Sequence, residues 1–130
     1  MSKLNVITGA GGLLGSHIAE QLLAAGERVR APVRSGSDSA FLRQIGVEVV
    51  DAADLRAAFQ GADVVYNCAA RVSDWGSWKH FRDEATTLAT TILDACRAAR
   101  VPRLLHVSSI SVYGFQKADA APIAEDAPLG

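Results

Sequence analysis

The stretch that most constrains this 130-residue chain covers residues 8–15, which read TGAGGLLG. We call it the glycine turn. An apolar, β-branched run over 3–8 precedes it, as expected of a strand buried on both faces. Apolar residues at helical spacing over 14–25 follow it and predict a helix that Gly26 ends. Strand, glycine turn and helix in this order favour a phosphate group bound at the start of the helix.

Each regularly spaced glycine of the turn has a physical reason. Gly9 allows a sharp reversal, Gly12 lets the backbone approach a ligand, and Gly15 lets the helix and strand pack closely. The GxxGxxG spacing resembles that of short-chain dehydrogenases/reductases, and no Gly-Lys-Ser/Thr follows, which argues against a triphosphate P-loop. The alternative is a tight turn that binds nothing. The candidate diphosphate-binding residues are Gly9, Gly11, Gly12, Leu13, Leu14 and Gly15.

Composition bounds the class of protein. With 49% hydrophobic residues and a net charge of −1, the chain is at most one domain with a core, and its charge favours neither nucleic acid nor a membrane surface. It enters a strand at once, leaving no room for a signal peptide, and no apolar run spans a membrane, so we expect a cytoplasmic protein. Neither Cys68 and Cys96 nor the histidines have metal-ligand spacing, so no metal site is expected.

Strand and helix patterns alternate along the whole chain. Connections this short predict right-handed crossovers and a doubly wound, parallel α/β sheet of Rossmann type, in the order 3-2-1-4-5. A ligand crevice is then expected at the carboxyl ends of strands one and four, where the order reverses. The longest helix carries an apolar stripe that suits packing on a sheet. Further strands are predicted at 28–33, 47–50, 62–68 and 103–108, and helices at 38–45, 54–59 and 78–99; the stripe is Trp78, Phe81, Ala85, Leu88, Ile92, Cys96 and Ala99.

The end of strand two bears on the choice of cofactor. A dinucleotide fold that selects NAD would carry Asp or Glu there to accept from the ribose 2′-hydroxyl. This chain has Arg34 and Ser35 instead. The guanidinium matches a 2′-phosphate, and the serine hydroxyl adds a donor, so the sequence favours NADP over NAD, with NAD left open. A solvated surface arginine is the alternative.

Two further strand ends supply candidate contacts to the cofactor. Asp51, after strand three, can accept from the adenine amino group; Asp54 is an alternative, unless it only caps the short helix that it opens. A solvated turn carboxylate is the other interpretation of Asp51. After strand four, Ala69 and Ala70 are small enough for a ribose or nicotinamide to lie against the backbone, although small residues there are also ordinary packing.

Three motifs together carry a family resemblance: TGAGGLLG at 8–15, NCAARVSDWG at 67–76 and HVSSISVYG at 106–114. They resemble the extended short-chain dehydrogenases/reductases, within them the NAD-dependent epimerase/dehydratase group, and especially its 3β-hydroxysteroid dehydrogenase and dihydroflavonol reductase branch. The resemblance covers essentially the whole chain. It implies a Rossmann fold, a nicotinamide cofactor and hydride transfer at a hydroxyl or ketone of a small-molecule substrate.

The family's catalytic groups are a serine that binds the reacting oxygen, a tyrosine that transfers the proton and a lysine that lowers the tyrosine pKa. Ser109 takes the serine role by resemblance, with Ser108 and Ser111 as alternatives. Tyr113 belongs to the VYG signature and is not expected to be the catalytic tyrosine, although Lys117 completes a YxxxK spacing with it. In the family that motif lies further along, beyond Gly130.

The resemblance therefore implies that the chain is a fragment. We expect a NAD(P)-binding domain over 1–114 and, over 115–130, a loop that leads to a missing catalytic helix and substrate region. Alone, the 130 residues are expected to be inactive. The alternative function is a non-catalytic, NADP-binding sensor module. The sequence does not fix the oligomeric state, and a homodimer stays open.

Overall fold

In the computed structural model, residues 1–70, 75–115 and 121–130 are described. Strands and helices alternate along them as the sequence patterns predict, and a short 3₁₀ helix follows the last strand. The strands are β1 Leu4–Thr8, β2 Arg28–Val33, β3 Glu48–Asp51, β4 Val64–Asn67 and β5 Leu104–His106; the α-helices are α1 Leu13–Ala24, α2 Ala40–Gln44, α3 Leu55–Phe59 and α4 Trp78–Ala98; the 3₁₀ helix is Ile110–Tyr113.

The five strands form one parallel sheet in the order β3-β2-β1-β4-β5, which confirms the predicted Rossmann-type topology. The chain leaves β1 towards β2 on one side and returns to β4 on the other. Thr8 pairs with Asn67 in the β1–β4 register, so the carboxyl ends of these two strands lie side by side. This is the switch point at which doubly wound sheets bind ligands.

The central strand β1 presents apolar side chains to both faces of the sheet, and both faces are covered. Leu4 and Val6 belong to one core cluster with Phe59 of α3 and Ile92 of α4. Ile7 belongs to a second cluster, on the other face, that includes residues of α1, β2 and α2. All five residues of β1 are buried, so the predicted doubly buried strand is confirmed, and the glycine turn grows out of the most buried strand of the molecule.

The β4–β5 side of the sheet differs from the prediction in the lengths of its strands and in the packing of α4; β4 covers Val64–Asn67 rather than 62–68. The strand predicted at 103–108 is shorter in the structure, where β5 covers only Leu104–His106. After His106 the chain turns into the 3₁₀ helix. The apolar stripe of α4 packs only in its carboxyl half: Ile92 and Cys96 are buried, whereas Trp78 is 77% exposed and Ala85 is exposed. Periodicity predicts the apolar face of a helix but not whether another element covers it.

Candidate cofactor-binding site

The glycine turn begins with a reversal of the chain at Gly9. Its φ of 70° lies in the left-handed region, which favours glycine, so the predicted reversal is present. A second constraint was not visible in the sequence. A Cβ on Gly9 would lie 2.8 Å from the Cys68 carbonyl carbon and 2.8 Å from the Ala69 nitrogen. The glycine turn therefore rests directly on the loop that follows β4.

The other glycines of the turn meet different surroundings. A Cβ on Gly15 would lie 2.3 Å from the Gly9 carbonyl oxygen and 2.8 Å from the Ala10 Cα, so Gly15 packs closely against the turn rather than along the strand. At Gly12 the nearest atom would be the Gly9 carbonyl oxygen at 3.3 Å, and a Cβ on Gly11 would meet nothing within 4 Å. Open space is therefore present beside Gly11.

The start of α1 offers backbone donors to that space. Its N-cap, Gly12, brings no side chain to the helix end, and the first turn of the helix contains no acidic residue. Ser16 donates its N–H to the Gly12 carbonyl, but no described residue accepts from the N–H groups of Leu13, Leu14 or Gly15. Together with the positive end of the helix dipole, three such donors fit the oxygens of a diphosphate.

A polar network that sequence reasoning missed joins the ends of three strands. Thr8 donates from its Oγ1 to Asn67 Oδ1 over 2.6 Å, and the Ala69 N–H donates to the same oxygen over 3.3 Å. Asn67 Nδ2 lies 2.9 Å from His106 Nδ1. Thr8 and Asn67 are 5% and 2% exposed. Their signal in the sequence was a polar residue at the end of each apolar strand.

The loop after β4 contributes backbone more than side chains. Ala69 is half-buried and Ala70 is exposed, and both follow the end of β4 directly. Burial raises the pKa of the Cys68 thiol, and burial likewise raises that of Cys96, so neither thiol is activated as a nucleophile. Residues 71–74, the rest of this motif, lie outside the described part of the chain.

The ends of β2 and β3 lie side by side, since Val33 pairs with Asp51. Arg34 and Ser35 follow β2 directly and are exposed, in a turn where Ser37 donates its N–H to the Arg34 carbonyl over 3.1 Å. No acidic residue stands at the end of β2. Arg34 therefore follows the strand end at which the adenosine end of a dinucleotide is read in this fold.

The two carboxylates after β3 have separate local partners. Asp51 closes β3 and accepts the Ala53 N–H at 2.9 Å, the bond of a turn carboxylate. Asp54 is the N-cap of α3 and accepts the Ala57 N–H at 2.9 Å, which confirms the capping interpretation for this residue. Asp51 remains the exposed carboxylate nearer the end of the sheet.

Ser109 begins a short segment, residues 109–114, which we call the serine turn. It is the N-cap of the 3₁₀ helix: its Oγ accepts the Ser111 N–H at 3.2 Å and lies 3.1 Å from Ser111 Oγ, to which it donates. Ser108, Ser109 and Ser111 are all exposed. The predicted catalytic serine is therefore an exposed hydroxyl held by a local bond, three residues beyond the end of β5.

The segment after the serine turn folds back over it. Tyr113 donates its hydroxyl to the Glu125 carbonyl over 3.3 Å, and the Gly130 N–H donates to the Val112 carbonyl over 2.9 Å. Gly114 ends the 3₁₀ helix with a φ of 72°, so no described helix carries Tyr113 onward. Lys117, the other half of the YxxxK coincidence, lies outside the described residues.

Two further observations cover the described residues. Among them, no cluster of three or more histidine, cysteine or acidic side chains has the arrangement of a metal site. Their helices are too short or too polar to cross a membrane.

Known proteins resemble this chain in both fold and sequence. The family model described as the NAD dependent epimerase/dehydratase family matches residues 5–130. A 2-alkyl-3-oxoalkanoate reductase from Shewanella oneidensis is 29% identical over 94% of this chain and 32% of its own length, and sterol demethylase protein B from Methylococcus capsulatus is 34% identical over 89% and 37%. The chain thus spans about a third of the length of the curated relatives it matches.

A solved structure gives the same assignment. The UDP-glucose-4-epimerase from Stenotrophomonas maltophila, determined with bound NAD and formylated UDP-arabinopyranose, superposes with a TM-score of 0.82 at 29% identity, covering 98% of this chain and 43% of that one. The match takes in the sheet, the glycine turn and the serine turn alike. This chain belongs to the NAD-dependent epimerase/dehydratase family.

Proposed function

We propose that the chain is the cofactor-binding portion of an NADP-dependent oxidoreductase or epimerase that transfers a hydride at a hydroxyl or ketone of a small-molecule substrate. The observation that carries this is the start of α1. Three N–H groups there have no described acceptor, and a Cβ on Gly11 would meet nothing within 4 Å, at the switch point of a parallel sheet. The family and the reductase and epimerase relatives supply the class of reaction.

When bound, the nicotinamide supplies or receives the hydride. The residues of this chain bind and orient. The N–H groups of Leu13, Leu14 and Gly15 hold the diphosphate, and the backbone at Ala69 and Ala70 lines the ribose and nicotinamide side. Asp51 accepts from the adenine amino group with the carboxylate oxygen that does not hold the Ala53 N–H.

Ser109 acts on the substrate oxygen. Its hydroxyl donates to Ser111 Oγ without substrate, and rotation about one side-chain bond redirects that proton to a substrate carbonyl. The hydrogen bond that the Ser111 backbone N–H donates to Ser109 Oγ keeps this oxygen in place while the hydroxyl proton changes its acceptor. Residues 1–114 form the cofactor domain, and 115–130 are the loop that precedes the family's tyrosine helix. No observation favours the sensor alternative.

The choice of NADP over NAD rests on Arg34. This exposed guanidinium follows β2 directly, with Ser35 beside it and no carboxylate at the strand end to accept from a 2′-hydroxyl. A planar, charged donor matches a 2′-phosphate, for which charge-assisted hydrogen bonds are about twice as strong as neutral ones. NAD lacks the phosphate and so gains nothing from this arginine.

Titration of the two dinucleotides tests this choice. Arg34→Ala should weaken NADP binding about tenfold or more and change NAD binding less than about threefold, because only NADP loses a charged partner. Arg28→Ala is the matched control: it removes an exposed arginine from the opposite end of the same strand and should leave both affinities unchanged. Equal losses for NADP and NAD would remove Arg34 from the choice of cofactor.

Turnover tests Ser109. In a form of the protein that reduces or epimerises a substrate, Ser109→Ala should lower kcat about a hundredfold, since it removes one hydrogen bond to the charge that develops on the reacting oxygen. The dinucleotide Kd should not change. Ser108→Ala tests the neighbouring candidate hydroxyl and should lower kcat much less than Ser109→Ala. Unchanged turnover in Ser109→Ala would assign the role to another hydroxyl. The 130 residues alone should bind cofactor weakly and oxidise no NADPH, which an absorbance assay checks.

A further inference from the structure

The buried Asn67 side chain holds one orientation because of the donors that face it. The Ala69 backbone N–H lies 3.3 Å from Oδ1, and a backbone N–H can only donate. A flipped amide would place its NH₂ group against this N–H and leave both donors without an acceptor. Thr8 adds its hydroxyl proton to the same oxygen over 2.6 Å. The carbonyl end of the amide therefore faces the glycine turn and the loop after β4.

The other end of the amide then determines the state of a histidine ring. With Oδ1 committed to two donors, the NH₂ group faces His106, and Nδ2 lies 2.9 Å from its Nδ1. An NH₂ group can only donate, so Nδ1 accepts with its lone pair. In a neutral imidazole the single proton is then on Nε2. One amide thus connects the ends of β1, β4 and β5 and selects one of two tautomers on the last of them.

The same amide governs the backbone beside which the glycine turn lies. Its bond to the Ala69 N–H closes a turn at the end of β4, and this turn is in van der Waals contact with Gly9. Asn67 is 2% exposed, so its side chain is shielded from solvent. A shift of the Ala69 backbone would reach Gly9, where there is no room for even a Cβ.

We propose that Asn67 is a positioning residue that fixes the Cys68–Ala70 backbone against the glycine turn and holds His106 as its Nε2–H tautomer. Its effect on dinucleotide affinity rests on the proposed function; the tautomer does not. The residue acts through Ala69 on one side and through His106 on the other, and these two actions can be separated by substitution.

Nitrogen NMR of histidine side chains tests the tautomer directly. The chain has three histidines. The signals that disappear from the spectrum of His106→Phe are those of His106. With the ring in its neutral form, the unsubstituted protein should show the His106 proton on Nε2. Asn67→Asp keeps an acceptor towards Thr8 and Ala69 but presents an oxygen to Nδ1, so the ring should then carry a proton on Nδ1. A proton on Nδ1 without substitution, or no change in Asn67→Asp, would overturn the proposal.

Dinucleotide titration tests the positioning. Asn67→Leu removes the bond to the Ala69 N–H and should weaken binding about tenfold. His106→Phe keeps that bond and should bind within about threefold of the unsubstituted protein. Equal affinities for the two variants would overturn the role of the Ala69 turn. If the unsubstituted protein binds no dinucleotide, the proposed function fails, but the tautomer measurement still tests the present proposal. The tautomer measurement also tests the present proposal if Asn67→Leu does not fold.

Discussion

The glycine turn and the serine turn both follow the carboxyl end of a strand in the same parallel sheet, yet they are held in different ways. The glycine turn follows β1, whose five residues are all buried, and it has no room for a Cβ at Gly9 or Gly15. The serine turn follows β5, where Leu105 is 45% exposed, and its own residue Ile110 is 88% exposed. Packing within this chain determines the first, whereas mainly local hydrogen bonds hold the second.

The difference separates binding from chemistry. A cofactor site needs a rigid backbone, because its donors are N–H groups whose positions depend on the packing of strand and helix. A catalytic hydroxyl needs side chains packed around its substrate, whereas Ser109 is exposed and Ile110 is 88% exposed. The comparison predicts that substitutions of equal size have unequal effects on the two sides of the switch point.

The largest contrast is expected for apolar side chains. Ile7→Ala should lower the free energy of unfolding by about 3 kcal/mol, because Ile7 is fully buried and leaves a cavity. Leu105→Ala removes a similar side chain from β5 and should cost less than about 1 kcal/mol, since water already reaches it. Urea denaturation of both variants measures the difference. Equal losses would mean that β5 is as tightly packed as β1.

A contrast between two glycines sharpens the result within the glycine turn. Gly15→Ala should destabilise the protein by roughly 2 kcal/mol, because its Cβ would lie 2.3 Å from a backbone oxygen. Gly11→Ala places its Cβ in open space and should change the free energy of unfolding by less than about 0.5 kcal/mol. If Gly15→Ala were as stable as Gly11→Ala, the close packing of α1 on the turn would be refuted.

The smallest effect is expected beyond the serine turn. Tyr113→Phe removes the hydroxyl, whose bond to the Glu125 carbonyl is 3.3 Å long and exposed. We expect less than about 0.5 kcal/mol in the free energy of unfolding. Thermal or urea denaturation checks this. A loss above about 1 kcal/mol would show that the segment after the serine turn contributes to the fold as a packed element does.

Local patterns predicted most of the architecture. The strands, the helices and the order 3-2-1-4-5 follow from periodicity and from the handedness of crossovers, and the capping role of Asp54 depends only on its own helix. The sequence could not predict which half of α4 is buried, because Ile92 and Ala85 occupy the same face of the helix. They differ only in whether another element packs against them. Nor could the network around Asn67 be foreseen, because its partners come from other strands.

Parallel pairing at the switch point has a consequence for how the site forms. Thr8 and Asn67 are 59 positions apart in the chain, and β2, α2, β3 and α3 all lie between them. The glycine turn can therefore close locally, but the loop that supports it arrives only after most of the sheet has been synthesised. Closing so long a loop is slow, which makes the crevice one of the last parts of this domain to assemble. A newly made chain would acquire its helix start well before it acquires a cofactor site.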